Sequence, residues 1–167
     1  MDTELRSEDG HAPAAYAAGP RGAARGRELR GRIDPAATVR DIRAAAAALP
    51  AGARRGIVGY CWGGTVAWHG AARTEGFAAA VGWYGGGIAA ARDEAPRCPV
   101  QLHFGETDAS IPAADVDAVR AARPEVEISV CGAAGHGFGR DERESHSAGD
   151  AALARRRTLG FFERHPG

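Results

Sequence analysis

The sequence predicts an α/β fold, with a mostly parallel sheet between two layers of helices, and two observations carry this prediction. From residue 34 onward, short apolar runs alternate with stretches of helical periodicity, which is typical of a parallel sheet covered by helices on both faces. The length of 167 residues and the apolar share of 44% suit a single domain with one core. We therefore predict a domain over residues 34–167, preceded by a weakly structured segment over residues 1–33.

The N-terminal segment carries few structural signals. Residues 14–18 are predicted as a short edge strand, and the Gly/Arg-rich residues 19–31 are predicted as a loop. Order is expected to begin at Asp34, a helix N-cap followed by Pro35 at the first helical position. Apolar residues at helical spacing extend that helix to Leu49, where a Pro-Ala-Gly sequence ends it.

The remaining elements alternate along the chain. Four short apolar runs are predicted as strands: Gly56–Tyr60, Phe77–Tyr84, Val100–Phe104 and Val126–Cys131. Helices are predicted between and after them, over residues 64–72, 112–122 and 150–164. In the last helix, Leu159 and Phe162 are expected to face the core.

Composition excludes several classes of function. The 21 basic and 21 acidic side chains balance, and the Arg-rich residues 21–32 contain no aromatic residue to stack on bases, so nucleic-acid binding is not expected. No apolar run approaches the ~18 residues of a membrane helix, and the acidic start does not resemble a signal peptide. The cysteines at 61, 98 and 131 have neither disulfide nor zinc spacing. We predict a cytoplasmic protein without a metal or other cofactor, and packing roles for Cys98 and Cys131.

The strongest chemical motif is Gly-Tyr-Cys-Trp-Gly-Gly at residues 59–64, directly after a predicted strand and opening a helix. In a nucleophile elbow, a nucleophile occupies such a strand-to-helix turn, with small residues two places on either side. Gly59 and Gly63 are expected to fill those places, and Cys61 is the predicted nucleophile. The helix N-terminus favours a thiolate, and the N–H of Trp62 is placed to donate to an oxyanion. The alternative interpretation is that Cys61 is an ordinary packing residue.

Two further motifs follow the last two predicted strands. Asp108, after the Val100–Phe104 strand, can hold a histidine in its useful tautomer, with Glu106 as the competing acid and a turn or helix cap as the structural alternative. His136 lies between glycines in a loop, where a general base can approach its partners. The remaining histidines are predicted to be structural or solvated: His11, His69, His103, His146 and His165. The order nucleophile, acid, histidine is that of the α/β-hydrolases.

With these motifs in place, the sequence resembles the dienelactone hydrolase family. The matching segments are GIVGYCWGG (56–64), VGWYGGG (81–87), CPVQLHFGETDASIP (98–112), AGHGF (134–138) and RTLGFFERH (157–165). The resemblance implies a Cys61–His136–Asp108 triad that cleaves small esters or lactones. It also implies that Arg140, four residues after the histidine, binds a substrate carboxylate.

The sequence departs from the family before the nucleophile. A strand–loop–helix–strand segment that members carry there has no counterpart, so we predict a truncated α/β-hydrolase-like three-layer fold. In the family, that segment supplies the second oxyanion N–H, a glutamate that interacts with the cysteine and another substrate-binding arginine. No position of this sequence matches these three roles. The Gly56–Tyr60 strand should then lie at an exposed sheet edge, where it can pair with a second copy in a homodimer.

Three functions remain open from the sequence. The first is a thiol esterase or lactonase acting on a small-molecule substrate. The second is a catalytically impaired homologue that binds a ligand or partner without turnover. The third is a redox-sensing thiol, which lacks a nearby resolving cysteine in the sequence.

Overall fold

A computed structural model describes residue 26, residues 28–50 and residues 52–166 of the chain. The predicted strand over residues 14–18, and most of the predicted loop over 19–31, lie outside these described residues. The chain divides into two compact units, Met1–Ala53 and Arg54–Gly167. The predicted domain limit after residue 33 stays a prediction.

The described part of the first unit is built around helix α1, Pro35–Ala47. The Asp34 carboxylate accepts hydrogen bonds from the N–H groups of Ala36 at 3.0 Å and Ala37 at 3.3 Å, which confirms the predicted N-cap. Residues 28–30 are helical where a loop was predicted. These three residues include no glycine, and Glu28 is joined to Arg32 by an ion pair of 2.6 Å, a contact one helical turn long.

The second unit contains a sheet of four parallel strands in sequential order. The strands are β1 (Gly56–Tyr60), β2 (Ala79–Trp83), β3 (Val100–Gly105) and β4 (Glu127–Cys131). All four predicted strands are confirmed, with bounds that shift by up to two residues. Every residue of β2 and β3 is buried. Strand β2 is apolar throughout, as is typical of a strand covered on both faces, whereas β3 also buries Gln101 and His103, whose side chains are hydrogen-bonded to each other. Because the four strands are parallel, their carboxyl ends lie at one edge of the sheet, where the candidate site is located.

Helices cover both faces of this sheet, as predicted. They are α2 (Trp62–Arg73), α3 (Ala113–Ala122) and α4 (Ala148–Arg164), with a short 3-10 helix at Ala89–Ala91. A Cβ added to Gly56 would lie 2.6 Å from the Phe162 ring in α4, whereas one added to Gly59 would lie 1.8 Å from the Gly63 carbonyl oxygen in α2. Because residues three apart on a strand point to opposite faces, α2 and α4 lie on opposite sides of the sheet. The unit is a three-layer α/β structure.

The prediction for the buried face of α4 was wrong at Leu159, which is 58% exposed. The buried face instead carries Ala151, Ala154, Thr158 and Phe161, with Phe162 only half-buried. Thr158 tolerates burial because its hydroxyl hydrogen-bonds the indole N–H of Trp83 and the imidazole of His103, each at 3.1 Å. Small and polar residues thus mark the core side of this helix, so a pattern read from its bulkiest side chains misses that side.

Within the described residues, strand β1 has a neighbour on one side only. Its side chains Val58 and Tyr60 are 44% and 50% exposed. The predicted position of this strand at a sheet edge is therefore confirmed for the described strands. No helix among the described residues is long and apolar enough to cross a membrane.

Candidate active site

Cys61 occupies the turn between β1 and α2 with a left-handed backbone, φ 57° and ψ −121°. A non-glycine residue rarely adopts a positive φ, and such strain collects at functional sites. The turn is held by hydrogen bonds from the Cys61 N–H to the Trp83 carbonyl and from the Gly64 N–H to the Cys61 carbonyl, both 2.9 Å. The Cys61 side chain is exposed at the carboxyl end of the sheet.

The close packing of this turn depends on two glycines, of which the sequence predicted one. An added Cβ at Gly59 would lie 1.8 Å from the Gly63 carbonyl oxygen, and one at Gly64 would lie 2.6 Å from the Trp83 carbonyl oxygen. An added Cβ at Gly63 would meet no atom within 4 Å. The predicted requirement for a small side chain at Gly63 was therefore wrong. The backbone of Gly63 packs directly against β1, and this contact leaves room only for glycine at position 59.

Cys61, His136 and Asp108 are joined by a continuous series of hydrogen bonds. The Cys61 sulfur lies 3.1 Å from His136 Nε2, and His136 Nδ1 lies 2.8 Å from Asp108 Oδ2. The other Asp108 oxygen accepts the Ser110 N–H at 2.8 Å, so both oxygens have fixed partners. The Asp108 side chain is fully buried beneath the imidazole. The three sequence motifs thus converge at the carboxyl ends of β1, β3 and β4.

The alternatives to these residues lie elsewhere. Glu106, the competing acid, is exposed and no hydrogen bond joins its side chain to His136. His103 is buried within β3 on Gln101 and Thr158, as predicted for a structural residue. Cys131 ends the β4 strand and is buried, as predicted for a packing residue.

Electrostatics favour a thiolate–imidazolium pair at this site. The hydrogen bond from His136 lowers the pKa of the Cys61 thiol, an effect that partial burial opposes and the Trp62 backbone N–H reinforces. The hydrogen bond to Cys61, assisted by Asp108 and opposed by burial, raises the pKa of His136 to about 8. Both shifts favour the ionised pair: it is lost as pH falls and the sulfur gains a proton, and again as pH rises past about 8 and the imidazolium loses one.

A cleft of about 400 Å³ opens over the sulfur. Its lining includes Tyr60, Cys61, Tyr84, His136, Arg140 and Arg143. The predicted residue Arg140 is thus at the cleft, although its guanidinium is paired with the Glu142 carboxylate at 2.9 Å. Sequence reasoning missed Tyr84, which has a φ of 39° and lies beside the His136 ring, with the ring centroids 5.4 Å apart. Burial raises the pKa of Tyr84 to about 12, so its phenol stays protonated.

Among the residues that the structure describes, no group of three or more His, Cys, Asp or Glu side chains could hold a metal ion.

A parallel sheet between helix layers, with a strained cysteine on the turn after β1, defines an α/β-hydrolase-like fold. The chain belongs to the dienelactone hydrolase family, whose model matches residues 17–166. A candidate carboxymethylenebutenolidase of Yersinia pestis is 37% identical over 65% of this chain, and the carboxymethylenebutenolidase of Pseudomonas putida is 34% identical over 64%. The structure of a candidate dienelactone hydrolase of Klebsiella pneumoniae is 30% identical, with a TM-score of 0.72 over 89% of this chain and 68% of its own.

The matched region is only part of the curated relatives. The chain spans about half their length, 46% for the Yersinia pestis protein and 47% for the Pseudomonas putida enzyme.

Proposed function

We propose that this protein is a hydrolase that cleaves small esters or lactones through a thioester intermediate on Cys61. The observation that carries the proposal is the hydrogen-bonded series from Cys61 through His136 to the buried Asp108. A thiolate beside an imidazolium is suited to attack on a carbonyl carbon. The Pseudomonas putida relative is named for cleavage of a butenolide, which is a lactone.

The reaction proceeds in two stages. The Cys61 thiolate attacks the carbonyl carbon, and the oxyanion accepts a hydrogen bond from the Trp62 N–H at the start of α2. The His136 imidazolium then protonates the departing alkoxide, leaving a thioester on Cys61 and a neutral imidazole. In the second stage, His136 takes a proton from water, the hydroxide attacks the thioester, and the carboxylic acid leaves as the thiolate–imidazolium pair forms again. Asp108 holds the imidazole in the tautomer that both stages need.

The other two functions receive less support. A binding protein without turnover would not need Cys61 held in a strained turn within hydrogen-bonding distance of His136. A redox sensor would need a second cysteine close to Cys61. Cys131 ends β4, which lies three strand spacings, or about 14 Å, from β1 across the sheet, and this is well beyond the Cα separation of a disulfide.

Turnover of a small aryl ester and of a butenolide tests the proposal. We expect hydrolysis by the wild-type protein, a covalent adduct of the acyl group on Cys61 by mass spectrometry, and no hydrolysis above the buffer rate with Cys61→Ala. Turnover that survives in Cys61→Ala would contradict the proposal. So would the absence of both turnover and adduct in a folded wild-type protein.

We also propose that β1 pairs with β1 of a second copy, in keeping with its position at the edge of the described sheet and the absence of charged side chains from it. Analytical ultracentrifugation should show a dimer at micromolar concentration, and Val58→Lys should dissociate it. A single-chain mass at every concentration would contradict the pairing.

We further propose a cytoplasmic location, which would keep the Cys61 thiol reduced for the reaction.

A further inference from the structure

The position of the His136 ring depends on a backbone segment that contains little to fix it. Both neighbours of His136 are glycines, and Gly137 has a φ of +81°, a conformation that suits glycine. The ring is engaged by Asp108 at Nδ1 and faces the Cys61 sulfur with Nε2, at 2.8 Å and 3.1 Å. A ring joined to its acid through one atom can pivot about that bond. Whether Nε2 reaches the sulfur therefore depends on how the backbone of His136 is held.

Two other parts of the chain hold this glycine-flanked segment. On one side lies Thr107, the neighbour of the triad acid, whose Oγ1 would be 3.7 Å from a Cβ added to Gly135. On the other side lies Ser145, whose own Cβ would be 3.4 Å from that added Cβ. The Ser145 hydroxyl donates to the His136 carbonyl at 2.6 Å. The segment thus passes between two supports, and Ser145 is the support that bonds directly to the histidine.

Ser145 is itself held in place by the residues that follow it. The Ser147 N–H donates to the Phe138 carbonyl at 3.2 Å, and the His146 imidazole lies 2.9 Å from the same carbonyl. The Ser147 hydroxyl donates to Asp150 Oδ2 at 2.8 Å, in the first turn of α4. Because these bonds anchor the end of the loop to its start and to a helix, Ser145 can act as a fixed support.

We propose that Ser145 is a positioning residue of the triad, whose hydrogen bond to the His136 carbonyl keeps the imidazole within reach of the Cys61 sulfur. The hydroxyl carries no charge and bonds the backbone of His136, so its effect on the sulfur passes through geometry. A misplacement of about 1 Å can cost on the order of 10²-fold in rate. The inference rests on the proposed function for its effect on turnover, whereas its effect on Cys61 can be measured without a substrate.

The test compares the rates of iodoacetamide alkylation at about pH 7 and about pH 9.5, followed on the Cys61 peptide by mass spectrometry. We expect Ser145→Ala to lower the rate at the lower pH about 3-fold or more, because loss of one hydrogen bond, worth about 1 kcal/mol, weakens the Cys61–His136 pair. The rate at the higher pH, where the thiol is ionised without help, should stay within about twofold. The ratio of the two rates therefore reports on the pair and not on access to the sulfur.

Matched variants separate positioning from loop stability. Ser147→Ala deletes a hydroxyl from the same loop, but one whose partner is Asp150, and it should leave the ratio unchanged. Ser145→Thr and Ser145→Val have the same shape, and only threonine keeps the hydroxyl, so threonine should retain the ratio and valine should lower it. Urea unfolding shows which variants are folded.

Turnover gives the second readout. For a small aryl ester, Ser145→Ala should lower kcat about 5- to 10-fold and leave KM within about twofold, since the hydroxyl does not bind substrate. A ratio unchanged in folded Ser145→Ala, or lowered equally by Ser147→Ala, or lowered equally in the threonine and valine variants, overturns the inference. A ratio that falls as expected in a protein without ester turnover would refute the proposed hydrolase and keep this inference. Turnover with an unchanged ratio would do the reverse.

Discussion

Replacing Asp108 with asparagine should lower kcat for a small aryl ester by about 10⁴, the cost measured for the same change in a serine-protease triad. Asparagine keeps the shape of the side chain, and its carbonyl oxygen can still accept the Ser110 N–H that Asp108 Oδ1 accepts at 2.8 Å. The amide NH₂ would then face His136 Nδ1 and impose the wrong tautomer. It would also leave the imidazolium without its buried counter-charge.

Glu106→Gln is the matched control, since it removes a carboxylate two residues away that is exposed to solvent. We expect that variant to keep kcat within about twofold of wild type, because its charge is screened by water and salt. Steady-state kinetics on both variants, with urea unfolding to show that each is folded, provides the comparison. Equal losses in the two variants, or a full kcat in Asp108→Asn, would refute the role of Asp108.

Replacing Gly59 with alanine should destabilise the protein by about 3 kcal/mol or more, at the upper end of the cost of overpacking. The new methyl would stand 1.8 Å from the Gly63 carbonyl oxygen, which is a backbone atom and cannot rotate away. Relief requires β1 and the first turn of α2 to separate, and that movement unwinds the turn that carries Cys61. Reactivity of the thiol should fall together with stability.

Gly63→Ala supplies the control four residues away. Its methyl would enter open space, and alanine is preferred over glycine within a helix by up to about 1 kcal/mol. Urea unfolding should therefore give changes of opposite sign for the two variants. A Gly59→Ala protein as stable as wild type would mean that β1 and α2 are further apart than described.

Much of this fold could be predicted from the sequence because its strands are short apolar runs between helices. Strand β1 was predicted to the residue, and the Asp34 cap marked the start of α1. The buried face of α4 could not be predicted in the same way. Thr158 is inside because Trp83 and His103 supply hydrogen bonds from other elements, and a one-dimensional pattern does not contain those partners.

The candidate site could also be predicted from the sequence only in part. Cys61, Asp108 and His136 were predictable because each follows a strand, and parallel strands bring such positions to one edge of the sheet. The clearance at Gly63 depends on distances between elements that the sequence does not contain. The family resemblance suggested Arg140 as the substrate cation, but it could not foresee that Glu142 is that residue's partner. Spacing along the chain thus predicts which residues meet, whereas their free hydrogen-bonding capacity emerges only from the fold.

The central claim, a Cys61 thiolate maintained by His136, is tested most directly by the pH dependence of iodoacetamide alkylation at Cys61. For the wild-type protein, the rate should reach half its plateau below the ~8.5 of an ordinary thiol, because the His136 hydrogen bond lowers the pKa of the sulfur. The plateau should persist above pH 8, since alkylation requires only the thiolate. His136→Ala should return the midpoint to about 8.5 or above. A wild-type midpoint near 8.5 that His136→Ala does not change would contradict the claim.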